Sequence, residues 1–132
     1  MNKLRVAIVG AGYVANHHLA ALRGVAFVEL AGICDTNLEA ARAMAARHSV
    51  PVAVSDLAEL LDLARPDVVH VLTPPASHAP VALAAMEHGC HVLCEKPLAV
   101  NLADCEKMLA TSRRTGRRLL VGQNQRLAPA HQ

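Results

Sequence analysis

Aromatic residues are nearly missing from this chain: Tyr13 and Phe27 are the full complement, and there is no tryptophan. Without aromatics interleaved with basic residues there is no platform on which nucleic-acid bases could stack. A formal net charge of +2 is too small to draw a polyanion or an anionic membrane surface. No apolar run reaches the ~18 residues that a membrane-spanning helix needs. Cysteine is sparse, at Cys34, Cys90, Cys94 and Cys105, and no two form a Cys-x-x-Cys pair. Cys90 and Cys94 share one apolar run and read as small buried hydrophobes. The expected compartment is therefore a reducing cytoplasm rather than one that favours a disulfide framework. Lys3 and Arg5 ahead of an apolar stretch imitate a secretion signal, but two glycines interrupt that stretch and the following apolar blocks continue one fold pattern. Repeats, low-complexity tracts and linkers are absent as well.

What is present is one domain's worth of chain, 132 residues, with 53% hydrophobic residues and so enough apolar matter for a core. Two textures alternate along it. Short β-branched runs at 4–9, 28–34, 52–54, 68–72, 91–94 and 119–121 read as buried strands. Alanine- and leucine-rich stretches at 14–23, 38–48, 57–64, 80–88 and 103–115 carry helical spacing. Asn37, then Ser55 or Asp56, then Ser77 are the expected helix N-caps, and Gly89 and Gly116 the expected stops. Strands apolar on both faces, joined through helices by short connections, predict an α/β fold. The expected architecture is a doubly wound parallel sheet of about six strands, of the Rossmann kind, with helices on both faces.

The first strand runs into Gly10-Ala11-Gly12-Tyr13-Val14-Ala15, which opens a helix. Each small residue has a task. Gly10 permits the sharp turn, Gly12 lets a pyrophosphate approach the backbone, and Ala15 lets the helix pack closely on the sheet. Uncapped N–H groups at the helix start attract the anion. Such a turn by itself is weak evidence, but its place between strand and helix, with Asp35 ending the second strand, points to a dinucleotide. A carboxylate there accepts from both adenosine ribose hydroxyls and repels a 2′-phosphate, which favours NAD over NADP. Thr36 and Asn37 leave NADP open.

Further chemistry collects where later strands end, at the edge where such sheets bind ligands. Thr73-Pro74-Pro75 offers a hydroxyl on a stiff turn. His78 begins the next helix, where the helix terminus is expected to keep it neutral; taken alone it reads as a surface histidine. Glu95-Lys96-Pro97 follows the fifth strand. A lysine there can supply or stabilise the proton that must move at a substrate oxygen during hydride transfer. A cis Lys96-Pro97 bond is allowed.

Taken together, Gly10-x-Gly12-x-x-Ala15, Asp35, Thr73-Pro74-x-x-x-His78, Glu95-Lys96-Pro97 and Gly122-Gln123-Asn124-x-Arg126 resemble the Gfo/Idh/MocA oxidoreductases along essentially the whole chain. The resemblance implies a Rossmann domain for NAD or NADP, with Lys96 catalytic beside the nicotinamide. It places Tyr13, Val14, Thr73, Pro74, His78, Glu95, Gln123, Asn124 and Arg126 near the cofactor. It implies sugars, inositols and related polyols as substrates. Ala76 and Leu127 depart from the residues common in the family, without disturbing the cofactor assignment. The family's C-terminal substrate domain, which supplies a further catalytic histidine, is not in this sequence, and His131 lies too near the end for that role.

The chain is accordingly expected to be a cofactor-binding domain spanning 1–132, with little or no turnover alone. It is also expected to self-associate through apolar surface near Leu127 and the sheet edge. Two other readings stand beside it: a non-catalytic dinucleotide-binding module, acting as a redox-responsive regulator or as partner to a separate subunit, and a domain for another nucleotide such as S-adenosylmethionine or coenzyme A. No metal site is expected. His17 and His18 are adjacent on a helix and diverge by ~100°, and strand alternation would split His88, His91, Cys90 and Cys94 between faces.

Overall fold

The computed structural model describes residues 2–122. Its elements alternate as expected: β1 (Leu4–Val9), α1 (Tyr13–Arg23), β2 (Val28–Cys34), α2 (Leu38–His48), β3 (Ala53–Val54), α3 (Leu57–Ala64), β4 (Val68–Val71), α4 (His78–Glu87), β5 (His91–Glu95), α5 (Leu102–Thr115) and β6 (Leu119–Gly122). The strands form one sheet in the order β3-β2-β1-β4-β5-β6. Every neighbouring pair is parallel. The order reverses between β1 and β4, so the chain crosses from one half of the sheet to the other there. In open parallel sheets that crossing leaves a crevice beyond the strands' carboxyl ends.

Strand alternation divides the core in two. Val6, Ile8 and Ile33 pack against Ala15 and Leu19 of α1 and Ala41, Met44 and Ala45 of α2. The residues between them, Ala7, Val9, Val69 and Val71, face α3, α4 and α5 through Leu60, Ala82, Met86 and Met108. Ala15 is fully buried beneath α1, which fits the close helix packing expected of a small residue there.

Helix entry follows the sequence signals at most points. Asn37 caps α2 through Ala40 N, and Asp56, rather than Ser55, caps α3 through Glu59 N. Asn101 caps α5 through Asp104 N. The expected cap at Ser77 is not made. Pro75–Ser77 form a turn of 3-10 helix that runs straight into α4, and Ser77 has helical dihedrals (φ −91°, ψ −9°) with no side-chain cap bond. A residue already inside the helical turn is not in the extended conformation a capping side chain requires.

Candidate functional site

The turn after β1 is built around Gly10. Its φ of +107° lies where side chains are strained, and a Cβ would stand 2.8 Å from both the carbonyl carbon and oxygen of Leu72. Only glycine fits there, because the turn passes directly over the backbone leaving β4. Gly12 is the N-cap of α1 and supplies no side-chain cap, unlike Asn37, Asp56 and Asn101 on α2, α3 and α5. A Cβ on Gly12 would meet nothing within 4 Å. The first N–H groups of α1 thus stand without a side-chain acceptor beside an open approach, which suits a phosphate. Tyr13 and Val14 are exposed at the helix start, and the Tyr13 ring packs edge-on against His17 at 4.9 Å.

Asp35 sits across from this turn. Its Oδ2 accepts from Ala11 N at 2.7 Å and its Oδ1 from Asn37 N at 2.8 Å. A carboxylate offers about four lone-pair positions, so each oxygen keeps capacity for a ribose hydroxyl. Asn37 Oδ1 caps Ala40 N, which leaves the Asn37 amide NH2 uncommitted by that bond. Gly10, Gly12, Asp35, Asp56, Thr73 and Pro74 are among the residues lining a cleft of about 730 Å³ at this edge. That is a common size for a small-molecule site. Asp56, the cap of α3, also lines this cleft. Its position here sets a second carboxylate on the side of the cleft where Asp35 lies. Cys34 also lines the cleft, but burial and then the neighbouring Asp35 push its thiol up to about 11, so it is no nucleophile.

Thr73 Oγ1, also at this wall, is buried and has no hydrogen-bond partner among the described residues. An orphaned hydroxyl beside an uncapped helix start and a carboxylate is the donor and acceptor set that a dinucleotide's phosphates and ribose require.

His78 corrects one expectation. It is 1% exposed, so it is not a surface histidine. Its Nδ1 lies 2.8 Å from Pro97 O and its Nε2 lies 2.8 Å from Thr73 O. Both partners only accept. Which nitrogen carries the N–H decides which of the two carbonyls is bonded. His78 ties the loop after β4 to the loop after β5. His78→Ala is expected to lower unfolding free energy by about 2–4 kcal/mol, from a cavity and the bonded carbonyl left unpaired; a urea titration measures it.

The Lys96-Pro97 bond is cis, and Lys96 is exposed at the carboxyl end of β5. Glu95 accepts on Oε2 from His18 Nε2 at 2.9 Å, and His18 Nδ1 lies 2.9 Å from His70 Nδ1. Burial, and secondarily the nearby His18, push His70 down to about 4. The sequence reading gave His18 and His70 no role. A signal existed for His70: it occupies the inward alternate position of an otherwise apolar strand, opposite in phase to Val69 and Val71.

Linkage follows from His70. Its folded value lies below the ordinary 6.5, so the unfolded chain binds the extra proton first. Stability is complete above about 6.5 and declines as pH falls towards about 4. A loss on the order of 3 kcal/mol is expected across that window. Denaturant midpoints measured at several pH values, compared with His70→Val, should show a shallower decline in the variant.

Among the described residues no group of three or more histidine, cysteine, aspartate or glutamate side chains is placed to hold a metal ion. Gln123, Asn124, Arg126 and Leu127 lie outside the described residues.

The sequence model of the Gfo/Idh/MocA group, described as an oxidoreductase family with an NAD-binding Rossmann fold, matches residues 4–123. The chain belongs to this family. It is an NAD-binding domain of the Gfo/Idh/MocA type, as the resemblance implied. It is 36% identical over 129 residues to the 4-carboxy-2-hydroxymuconate-6-semialdehyde dehydrogenase of a Sphingobium species, covering 98% of this chain and 41% of that protein. It is 37% identical over 126 residues to the D-glucoside 3-dehydrogenase of Escherichia coli, covering 95% and 36%. Among solved structures, the WlbA dehydrogenase of Bordetella pertussis, in complex with NADH and UDP-GlcNAcA, superimposes with a TM-score of 0.89 at 33% identity, covering 96% of this chain and 40% of that one. The chain thus spans about two fifths of the length of the Gfo/Idh/MocA relatives it matches.

Proposed function

We propose that the chain, over 1–132, is the cofactor domain of a dehydrogenase that binds NAD in preference to NADP and oxidises or reduces a sugar, inositol or related polyol when a second domain completes the substrate pocket. The observation that carries this reading is the pairing of the uncapped α1 terminus with Asp35, joined by the 2.7 Å bond from Ala11 N. Gly10, Gly12, Tyr13, Val14 and Ala15 seat the pyrophosphate. Asp35 takes the adenosine ribose, with Asp56 adding negative charge against a 2′-phosphate. Thr73, Pro74 and His78 form the wall towards the nicotinamide end, where Glu95 and Lys96 stand. Gln123, Asn124 and Arg126 are assigned to that end by family resemblance alone.

The nicotinamide, when bound, gives or accepts a hydride. Lys96 holds or releases the proton at the substrate oxygen. Binding and proton transfer therefore fall on different residues. Lys96→Met is expected to leave NADH affinity within about threefold, because a residue acting at the substrate oxygen contributes little to cofactor binding. A fluorescence titration checks this, and a loss of binding as large as that from an Asp35 variant would remove Lys96 from its proposed role.

Leu120 and Val121 are 57% and 41% exposed on β6, an edge of the sheet. They support self-association or cover by a partner; a clean monomer by light scattering at high concentration would count against it. No helix among the described residues is long and apolar enough to cross a membrane. The unpaired thiols of Cys34, Cys90, Cys94 and Cys105 support a reducing, cytoplasmic setting.

A further inference from the structure

We propose that His18 and His70 are positioning residues of the cofactor site: they form a hydrogen-bonded chain, His70 to His18 to Glu95, that fixes the Glu95 carboxylate as an anion at the nicotinamide end of the cleft. This rests on the reading that the nicotinamide lies at the carboxyl ends of β4 and β5.

The geometry restricts where the protons sit. The 2.9 Å contact between His18 Nε2 and Glu95 Oε2 needs one proton, and a carboxylate cannot supply it, so His18 donates from Nε2. A neutral His18 then has a lone pair on Nδ1, and His70 must donate to it across the other 2.9 Å contact. If His18 takes up a second proton, it donates from Nδ1 as well, and His70 accepts as its other tautomer. In both states Glu95 keeps its donor and no heavy atom moves. Burial keeps His70 neutral, so it serves as donor or acceptor without adding a cation.

Three elements are tied by this chain: α1 through His18, β4 through His70 and β5 through Glu95. The rings of His18 and His70 meet edge-on with centroids 5.2 Å apart, a packing that opposes ring rotation. Gly122 on the neighbouring β6 leaves room for the carboxylate, since a Cβ there would stand 3.1 Å from Glu95 Oε2. The side chains of His18 and Glu95 are only 12% and 20% exposed, so the bond is shielded from competing water.

A neutral imidazole holds a carboxylate without cancelling its charge, as an arginine or lysine would. The oxidised nicotinamide ring carries a positive charge that the reduced ring lacks. A carboxylate held near it favours the oxidised form and so strengthens NAD binding relative to NADH.

The test has two arms on the 132-residue chain. In the first, nitrogen-15 NMR of labelled histidines reads the tautomers without any cofactor. His18 is expected to show a protonated, slowly exchanging Nε2; an unprotonated or rapidly averaging Nε2 would overturn the hydrogen-bond chain. In the second, dissociation constants for NAD and NADH are measured for wild type, His18→Leu and His18→Gln. The leucine variant is expected to shift the ratio about fivefold towards NADH, a change of the size expected for one weakened electrostatic contact. The glutamine variant keeps a donor near the Nε2 position and is expected to stay within about twofold of wild type. An unchanged ratio in the leucine variant would overturn the positioning role. Wild-type chain that shows the expected tautomers but binds neither form would overturn the cofactor reading, and the role with it, while leaving the hydrogen-bond chain in place.

Discussion

Asp35→Ala should weaken NAD binding by about one hundredfold, the size expected when charge-assisted bonds to a ribose are lost. The carboxylate does two things at once. It is proposed to take the ribose hydroxyls, and it already braces the glycine turn by accepting from Ala11 N at 2.7 Å while holding the start of α2 through Asn37 N at 2.8 Å. Removing it strips the ribose of its acceptors and leaves the Ala11 N–H without its partner, so a stability loss of about 1–3 kcal/mol is expected in the same variant. Asp35→Asn removes the charge and keeps one of the two bracing acceptors. The amide oxygen can replace only one of the two accepting oxygens, so either Ala11 N or Asn37 N is left facing the amide NH2, while the charge that repels a 2′-phosphate is gone. Preference for NAD over NADP should therefore fall by about tenfold, the equivalent of 1.4 kcal/mol, with a stability loss of about 1–3 kcal/mol from the one backbone N–H left without an acceptor. Asp56, on the same side of the cleft, retains part of the discrimination. Isothermal titration with both dinucleotides measures the affinity and the preference, and a denaturant titration measures the stability. An alanine variant that binds NAD as wild type does would remove Asp35 from the site.

Gly10→Val should produce the largest loss of stability of any substitution in the turn, about 4 kcal/mol or more. Two costs combine. A β-branched residue is strained at a φ of +107°, and its Cβ would lie 2.8 Å from the backbone of Leu72, which cannot swing aside as a side chain could. Relief requires β1 and β4 to separate at the crossing between the two halves of the sheet, which would also open the cleft. Gly12→Ala provides the contrast. Its added methyl meets no protein atom within 4 Å, so stability should hold within about 1 kcal/mol. Dinucleotide affinity should nevertheless fall, because the methyl occupies the approach to the helix start. Thermal unfolding and NADH titration of the two variants distinguish a turn glycine from a binding glycine. Equal stability losses would contradict that division.

How much of this was legible in the sequence depends on the range of the interaction. Strands and helices followed local periodicity, and their ends shifted by only a residue or two: β3 contracts to Ala53–Val54, and β5 extends to Glu95. Val52 leaves the strand yet still accepts from Ile33 N, so its backbone remains part of the sheet's edge. The glycine turn and Asp35 were readable because they are a local motif set between a strand and a helix. Ser77 misled because a capping residue type is visible in sequence, whereas the 3-10 turn that overrides it depends on how Pro74 and Pro75 enter α4. His78 misled for a tertiary reason: its ring reaches Pro97, 19 residues on, and no local rule reports that contact. His18 and His70 are 52 residues apart, and His18 and Glu95 are 77 apart. Their meeting follows from the strand order, which places β4 between β1 and β5. A histidine among valines in β4 was the visible clue, and only the topology named its partners.

The turn at Gly10 and Gly12, together with Asp35, is proposed to hold NAD in a defined orientation. A crystal structure of the chain grown with NADH tests it most directly. The expected density places the pyrophosphate over the start of α1, the adenosine ribose hydroxyls on the Asp35 carboxylate and the nicotinamide at the β5 end beside Glu95 and Lys96. A dinucleotide bound with its pyrophosphate away from Gly12, or with its adenosine ribose out of reach of Asp35, would contradict it.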